Sequence, residues 1–124
     1  MEPMNCTAYF HDDICEVWAP TQNPQAVQLA VASKAGLPPK QVTVHVPLVG
    51  GGFGRRLQTD YAAEAAAVAK EIKAPVQVLW TRDDDLQHDF YHPMAVQYAY
   101  VSLEEPKIPA IQVASGSGVP TGAW

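Results

Sequence analysis

Basic charge is scarce in this chain. Lysine and arginine together number 8 against 13 aspartates and glutamates, a formal net charge of −5. A general nucleic-acid binder shows a basic face, and Arg55-Arg56 is the one basic cluster here, so that class is set aside. No apolar run approaches the ~18 residues that span a bilayer, so no membrane span is expected. The start, Met1-Glu2-Pro3-Met4-Asn5-Cys6, lacks the basic and apolar regions of a signal peptide, which by itself fixes no compartment. Cysteine is nearly absent. Cys6 and Cys15 cannot make a zinc or iron–sulfur site alone. They fall on two neighbouring strands, where a cross-hairpin disulfide is conceivable and two free buried thiols are the favoured reading. No serine occupies a G-x-S-x-G elbow, and no Cys-His pair has support for nucleophilic chemistry. Apolar residues at 48% and charged residues at 17% describe a globular chain of one domain.

What the chain does have is glycine in one place. Val49 is followed by Gly50-Gly51-Gly52-Phe53-Gly54-Arg55-Arg56, between a strand-like run and a helical one. Glycine lets backbone approach a ligand closely, and a strand, a glycine loop and a helix in that order often hold something small and anionic. Arginine forks suit phosphate or carboxylate. The blander reading is a flexible turn with solvated arginines. Two common phosphate signatures fail: Arg55 stands where a P-loop needs Lys-Ser/Thr, and also where G-x-G-x-x-G counted from Gly50 needs its last glycine.

The eleven prolines punctuate segment ends. Residues 6–10 and 14–21 read as strands joined by the turn His11-Asp12-Asp13. Asn23 and Pro24 start a helix over 25–35, with Val27, Ala30 and Val31 inward, and Gly36 ends it. Residues 41–47 alternate as a half-buried strand, with His45 on its outer side as a surface or hydrogen-bonded histidine. Thr59 caps a second helix over 60–73 whose inner stripe is Tyr61, Ala65, Val68 and Ile72; Asp60 and Glu64 suit its amino end, Lys70 and Lys73 its carboxyl end. Residues 76–80 read as a short buried strand, 81–89 as a polar loop, and 94–103 and 108–114 as further strands. His88 and His92, with Asp83, Asp84, Asp85 and Asp89, are more simply a solvated acidic loop than a metal face. The order β-β-α-β-α-β-β predicts an α+β two-layer sandwich, two helices on one face of a mixed sheet.

Several segments together resemble the molybdenum-binding large subunit of the xanthine dehydrogenase and aldehyde oxidase family, in particular its isoquinoline 1-oxidoreductase beta-subunit (membrane-bound aldehyde dehydrogenase) branch. They are Met1-Glu2-Pro3, Trp18-Ala19-Pro20-Thr21-Gln22-Asn23-Pro24, the glycine loop with Asp60-Tyr61, Leu79-Trp80-Thr81-Arg82-Asp83, His88-Asp89-Phe90-Tyr91 and Val119-Pro120-Thr121-Gly122-Ala123-Trp124. The resemblance implies, for the full-length family, a molybdopterin cofactor in its cytosine dinucleotide form and hydroxylation of an aldehyde or of a carbon beside nitrogen; the alternative is that this chain by itself binds no cofactor. It implies that Gln22 lies beside the metal, with Gly51, Gly52, Phe53, Gly54 and Arg55 near metal and pterin; none of these is a catalytic acid or base, nor a metal ligand. An amide such as Gln22 donates a hydrogen bond without bringing charge, and an aromatic such as Phe53 excludes water.

Family members are several times longer. The resemblance therefore implies a shortening around residues 94–118, a truncation after Trp124, and loss of the segments carrying a metal-proximal arginine and the general-base glutamate. Such a chain is expected to be inactive alone, since the attacking oxygen must lose a proton. Its partners would be the remainder of the large subunit or an iron–sulfur small subunit, and apolar surface left bare would favour a homo-oligomer. The alternative is a stand-alone, non-catalytic domain that keeps the fold and binds an anion, a small ligand or another chain.

Overall fold

The computed structural model describes residues 2–91, 94–104 and 107–117. They form two compact units, Met1–Asp89 and Phe90–Trp124. In the first, β1 (Asn5–His11) and β2 (Ile14–Trp18) make a hairpin, followed by α1 (Pro24–Ala35), β3 (Val42–His45), α2 (Asp60–Ile72), β4 (Val76–Leu79) and α3 (Arg82–Gln87). The four strands form one sheet in the order β3-β2-β1-β4. The β1–β2 and β1–β4 pairs are antiparallel and β2–β3 is parallel, so the sheet is mixed as expected. The parallel pair needs a crossover, and α1 supplies it.

The inward residues of the sheet, Cys6, Ala8, Cys15, Val17 and Val42, pack in one cluster with Val27, Val31 and Ala32 of α1 and with Tyr61, Ala62, Ala65, Ala66 and Ala69 of α2. This is the two-layer α+β architecture. The caps of α1 follow the sequence closely. Asn23 accepts from the Ala26 N–H at 3.1 Å, Pro24 takes the first turn, and Gly36 closes the helix at φ +71°. The turn at Asp12 and Asp13 has φ of +47° and +60°, dihedrals that aspartate tolerates.

Several details depart from the sequence reading. Residues 81–89 are not a loop throughout, because Thr81 and Asp84 form a reciprocal capping box and start α3. The carboxyl of Asp84 is held below its ordinary range by the Thr81 hydroxyl bond, so the acidic run serves the positive helix end. The helices therefore number three among the described residues. Of the expected inner stripe of α2, Tyr61 and Ala65 are buried but Ile72 is 60% exposed, and the buried face is Tyr61 with the alanines Ala62, Ala65, Ala66 and Ala69. Small side chains admit the helix close to the sheet, and that contact sets the face more than the spacing of the larger residues does. Thr59 precedes α2 without a side-chain cap bond; Asp60 Oδ1 accepts from the Tyr61 N–H instead. Strand β4 lies at the sheet edge with alternate residues exposed, not buried.

Cys6 and Cys15 are buried free thiols, because the β1–β2 register pairs Cys15 with Phe10. Burial pushes their thiol pKa values up to about 12 and about 11, which keeps them inert. In the second unit, β5 (Ala95–Glu104) and β6 (Lys107–Ser117) pair as an antiparallel two-stranded sheet of their own. Both proposed strands are thus present, the first shifted by one residue and the second longer than expected. His92 and the motif at residues 119–124 lie outside the described residues.

Candidate functional site

The site is built where the end of β2 meets the glycine loop. After Trp18 the chain leaves the sheet, and residues 20–22 run unpaired into the cap of α1. Their backbone groups need partners from elsewhere. Arg56 provides them. Its carbonyl accepts from the Gln22 N–H at 3.0 Å and from the Thr21 hydroxyl at 3.0 Å. Its guanidinium donates to the carbonyls of Pro20 at 2.8 Å, Glu2 at 3.2 Å and Pro3 at 3.3 Å. The Tyr61 hydroxyl also donates to the Pro20 carbonyl, at 3.2 Å, and burial raises its pKa.

The loop closes onto Gln22. The Gly54 N–H donates to Gln22 Oε1 at 3.0 Å. A Cβ on Gly52 would lie 2.7 Å from Gln22 Cγ and closer still to the rest of the side chain. Gly52 is glycine because Gln22 fills the room a side chain would take. With Oε1 accepting, the Gln22 Nε2 remains a donor that no other described residue engages. Gly50 faces open space, with nothing within 4 Å of where its Cβ would be. Phe53 is 70% exposed and holds φ +49°, an uncommon backbone for a bulky residue that marks a constrained loop. Gly50, Gly51 and Phe53 line a groove of about 330 Å³ together with Glu2.

The structure thus brings Gln22, Gly52 and Gly54 into contact and places Gly51 and Phe53 beside them. The arginines are not solvated. Arg55 forks onto the carboxylate of Asp60 at 3.1 and 2.9 Å, pairs with Asp89 at 3.4 Å and lies 5.4 Å over the Trp80 ring. Its side chain therefore serves the junction of loop, α2 and the end of the first unit. Trp80 in turn donates to Glu64 at 2.9 Å, and its ring meets that of His88. Arg56 is wholly buried. Sequence reasoning took it for a possible anion contact and gave Glu2 and Thr21 no role of their own. Two adjacent arginines after glycine looked like ligand contacts; reading residues 14–21 as one strand, where β2 ends at Trp18, hid the unpaired backbone that Arg56 serves.

Elsewhere, Glu16 accepts from or bonds to two imidazoles on the outer face of the sheet, His45 at 2.8 Å and His11 at 3.5 Å. His45 stacks on Trp18 and His11 on Tyr9. These bonds, His45 first, hold the Glu16 carboxyl below its ordinary range. Among the described residues no group of three or more metal-ligating side chains is placed to hold a metal ion, and no helix is long and apolar enough to cross a membrane.

The residues fit a cofactor of pterin type: glycine backbone on an open groove, one neutral amide donor, and an aromatic edge that sheds water. Comparison with known proteins agrees. Residues 1–118 match the model of the molybdopterin cofactor-binding domain. Isoquinoline 1-oxidoreductase subunit beta of Brevundimonas diminuta is 38% identical over 107 residues, which is 85% of this chain and 14% of that protein. The membrane-bound aldehyde dehydrogenase (pyrroloquinoline-quinone) of Gluconacetobacter polyoxogenes is 33% identical over 124 residues, 98% of this chain and 16% of its own length. The chain therefore spans about one-seventh of these relatives. Among solved structures, quinoline 2-oxidoreductase from Pseudomonas putida 86 superposes with a TM-score of 0.68 over 93% of this chain and 15% of that one, at 22% identity, a likeness of fold. The chain, with a family model matched over its residues 1–118 and a relative 38% identical over 85% of its length, belongs to the molybdopterin cofactor-binding domain family of the molybdenum hydroxylases.

Proposed function

We propose that this chain forms one wall of a molybdopterin site in an oxidoreductase acting on aldehydes or N-heterocycles, with the cofactor in its cytosine dinucleotide form. The observation that carries the reading is the single surface made by Gln22, Gly52 and Gly54, two sequence-distant segments joined by the 3.0 Å bond from the Gly54 N–H to Gln22 Oε1. When bound, the group supplies two-electron oxidation with oxygen taken from water. Backbone at Gly50, with nothing within 4 Å of where its Cβ would be, would lie against it, and the Phe53 ring packs beside Gly51. The Gln22 Nε2 would offer the group a neutral donor, and Phe53 would shield its edge from water. The proposed role of Arg55 is indirect: by gripping Asp60 it fixes the loop's exit.

Hydroxylation also needs a proton acceptor. Glu2 is the carboxylate that lines the groove, and it is committed to Asn5 and lies 3.7 Å from Arg56. We therefore assign the base to another part of the complete enzyme and expect no turnover from these residues alone, with electrons leaving through an iron–sulfur partner. The name of one relative carries a quinone cofactor instead. We favour molybdopterin, because the matching family model describes that group and the glycine loop provides the close backbone approach it needs. The reading as an anion site built on arginine forks has less support, since the Arg55 fork is on Asp60 and the Arg56 donors are on backbone carbonyls.

The test is direct. The 124-residue chain, produced in a host making molybdenum cofactor, is expected to retain pterin, read as fluorescence after oxidation. Retention abolished by Gln22→Ala supports the reading. A chain that never carries pterin but takes up pyrroloquinoline quinone contradicts it.

A further inference from the structure

Arg56 carries more of the site than its burial suggests. Three bonds close a ring through it: its N–H donates to the Gly52 carbonyl at 3.3 Å, its carbonyl accepts from the Gln22 N–H at 3.0 Å, and Gln22 Oε1 accepts from the Gly54 N–H at 3.0 Å. The guanidinium then grips residues 2, 3 and 20 by their carbonyls, so the segment leading into Gln22 is held from both its backbone edges. The Thr21 hydroxyl completes the grip. It donates to the Arg56 carbonyl and accepts from the Asn23 N–H, each at 3.0 Å, which ties the same contact to the start of α1.

We propose that Arg56 is a positioning residue that sets the distance and angle between the Gln22 side chain and the glycine loop. The proposal rests on the reading of that surface as the cofactor wall. Arginine is always charged, and a fully buried charge is costly unless it is well paired. Here the carboxylate paired with it, Glu2, is 3.7 Å away and half exposed, and the Arg56 Nε is buried without a partner among the described residues. Such a group is a poor choice for filling a core and a good one for holding carbonyls, because its planar fork fixes direction as well as distance. Residues 20–22 belong to no helix or strand, and three of the bonds that place them run to Arg56, two to its carbonyl and one to its guanidinium.

The experiment uses the isotope-labelled 124-residue chain as wild type, Arg56→Met, Thr21→Val and, as a control for general loss of stability, Val31→Ala in the core. Two readouts are taken: the NOE between the Gln22 γ-protons and the Gly52 α-protons, and the apparent affinity for molybdopterin cytosine dinucleotide. Arg56→Met is expected to lose the NOE and bind at least about tenfold more weakly, the scale of one lost hydrogen bond to a charged donor. Thr21→Val, which keeps shape and removes both hydroxyl bonds, to the Arg56 carbonyl and from the Asn23 N–H, weakens the NOE; Val31→Ala keeps the NOE and the affinity. If Arg56→Met does not fold, Thr21→Val decides. An unchanged NOE in the folded variants, or equal loss in Val31→Ala, overturns the proposal. A wild-type chain that shows the NOE and binds no cofactor overturns the reading of the site, while the NOE arm still judges the role of Arg56.

Discussion

At Gly52 the missing side chain matters because Gln22 occupies its place. Gly52 is not held at a left-handed φ, so alanine meets no backbone barrier there. What an added methyl meets is the far end of a flexible side chain. Gly52→Ala is therefore expected to swing Gln22 away and break its bond to the Gly54 N–H, while thermal stability changes by no more than ~1 kcal/mol, the net worth of one hydrogen bond. Gln22 side-chain amide shifts and a melting curve check this together; a large loss of stability with Gln22 in place would contradict it. Glu16 shows a different dependence on its neighbours. Its folded pKa lies below the unfolded one, so the stabilisation from His45 and His11 is complete above the ordinary glutamate value of ~4.3 and is lost as pH falls through the lower folded value. In urea titrations from neutral to acid pH, wild type should lose stability more steeply below about pH 4.3 than Glu16→Gln does. Parallel curves would show that the histidine bonds contribute nothing.

At the scale of elements, the best-marked helix in the sequence is also the best capped. Asn23→Ala removes the bond to the Ala26 N–H and is expected to cost ~1 kcal/mol in a denaturant midpoint. An unchanged midpoint would mean that α1 is held by packing alone. Its ends were legible because Asn-Pro and Gly are local signals that need no tertiary information. Helix α2 was legible in extent and, at Tyr61 and Ala65, in orientation; its carboxyl end misled, because Ile72 looks apolar yet the sheet accepts Ala66 and Ala69 instead. Helix α3 hid behind three consecutive aspartates, which suggest repulsion until Thr81 and Asp84 are seen to cap one another. The loop and Gln22 were legible as two motifs. Their junction was not, because a hydrogen bond between positions 22 and 54 leaves no periodic trace, and the buried Arg56 that links them looks, in sequence, like one more surface charge.

On the scale of the whole molecule, the first unit has its own core and presents Gln22, the glycine loop and Phe53 at one place. The central claim is that this surface lies against the pterin. It is tested most directly by titrating the labelled chain with molybdopterin cytosine dinucleotide and mapping amide shifts. The account predicts the largest changes at the backbone of Gly50, Gly51, Gly52 and Gly54 and at the side-chain amide of Gln22. Changes centred instead on the other cavity, lined by Tyr9, Phe10, His11, Asp12, Asp13 and Lys73, or no changes at saturating cofactor, would contradict it.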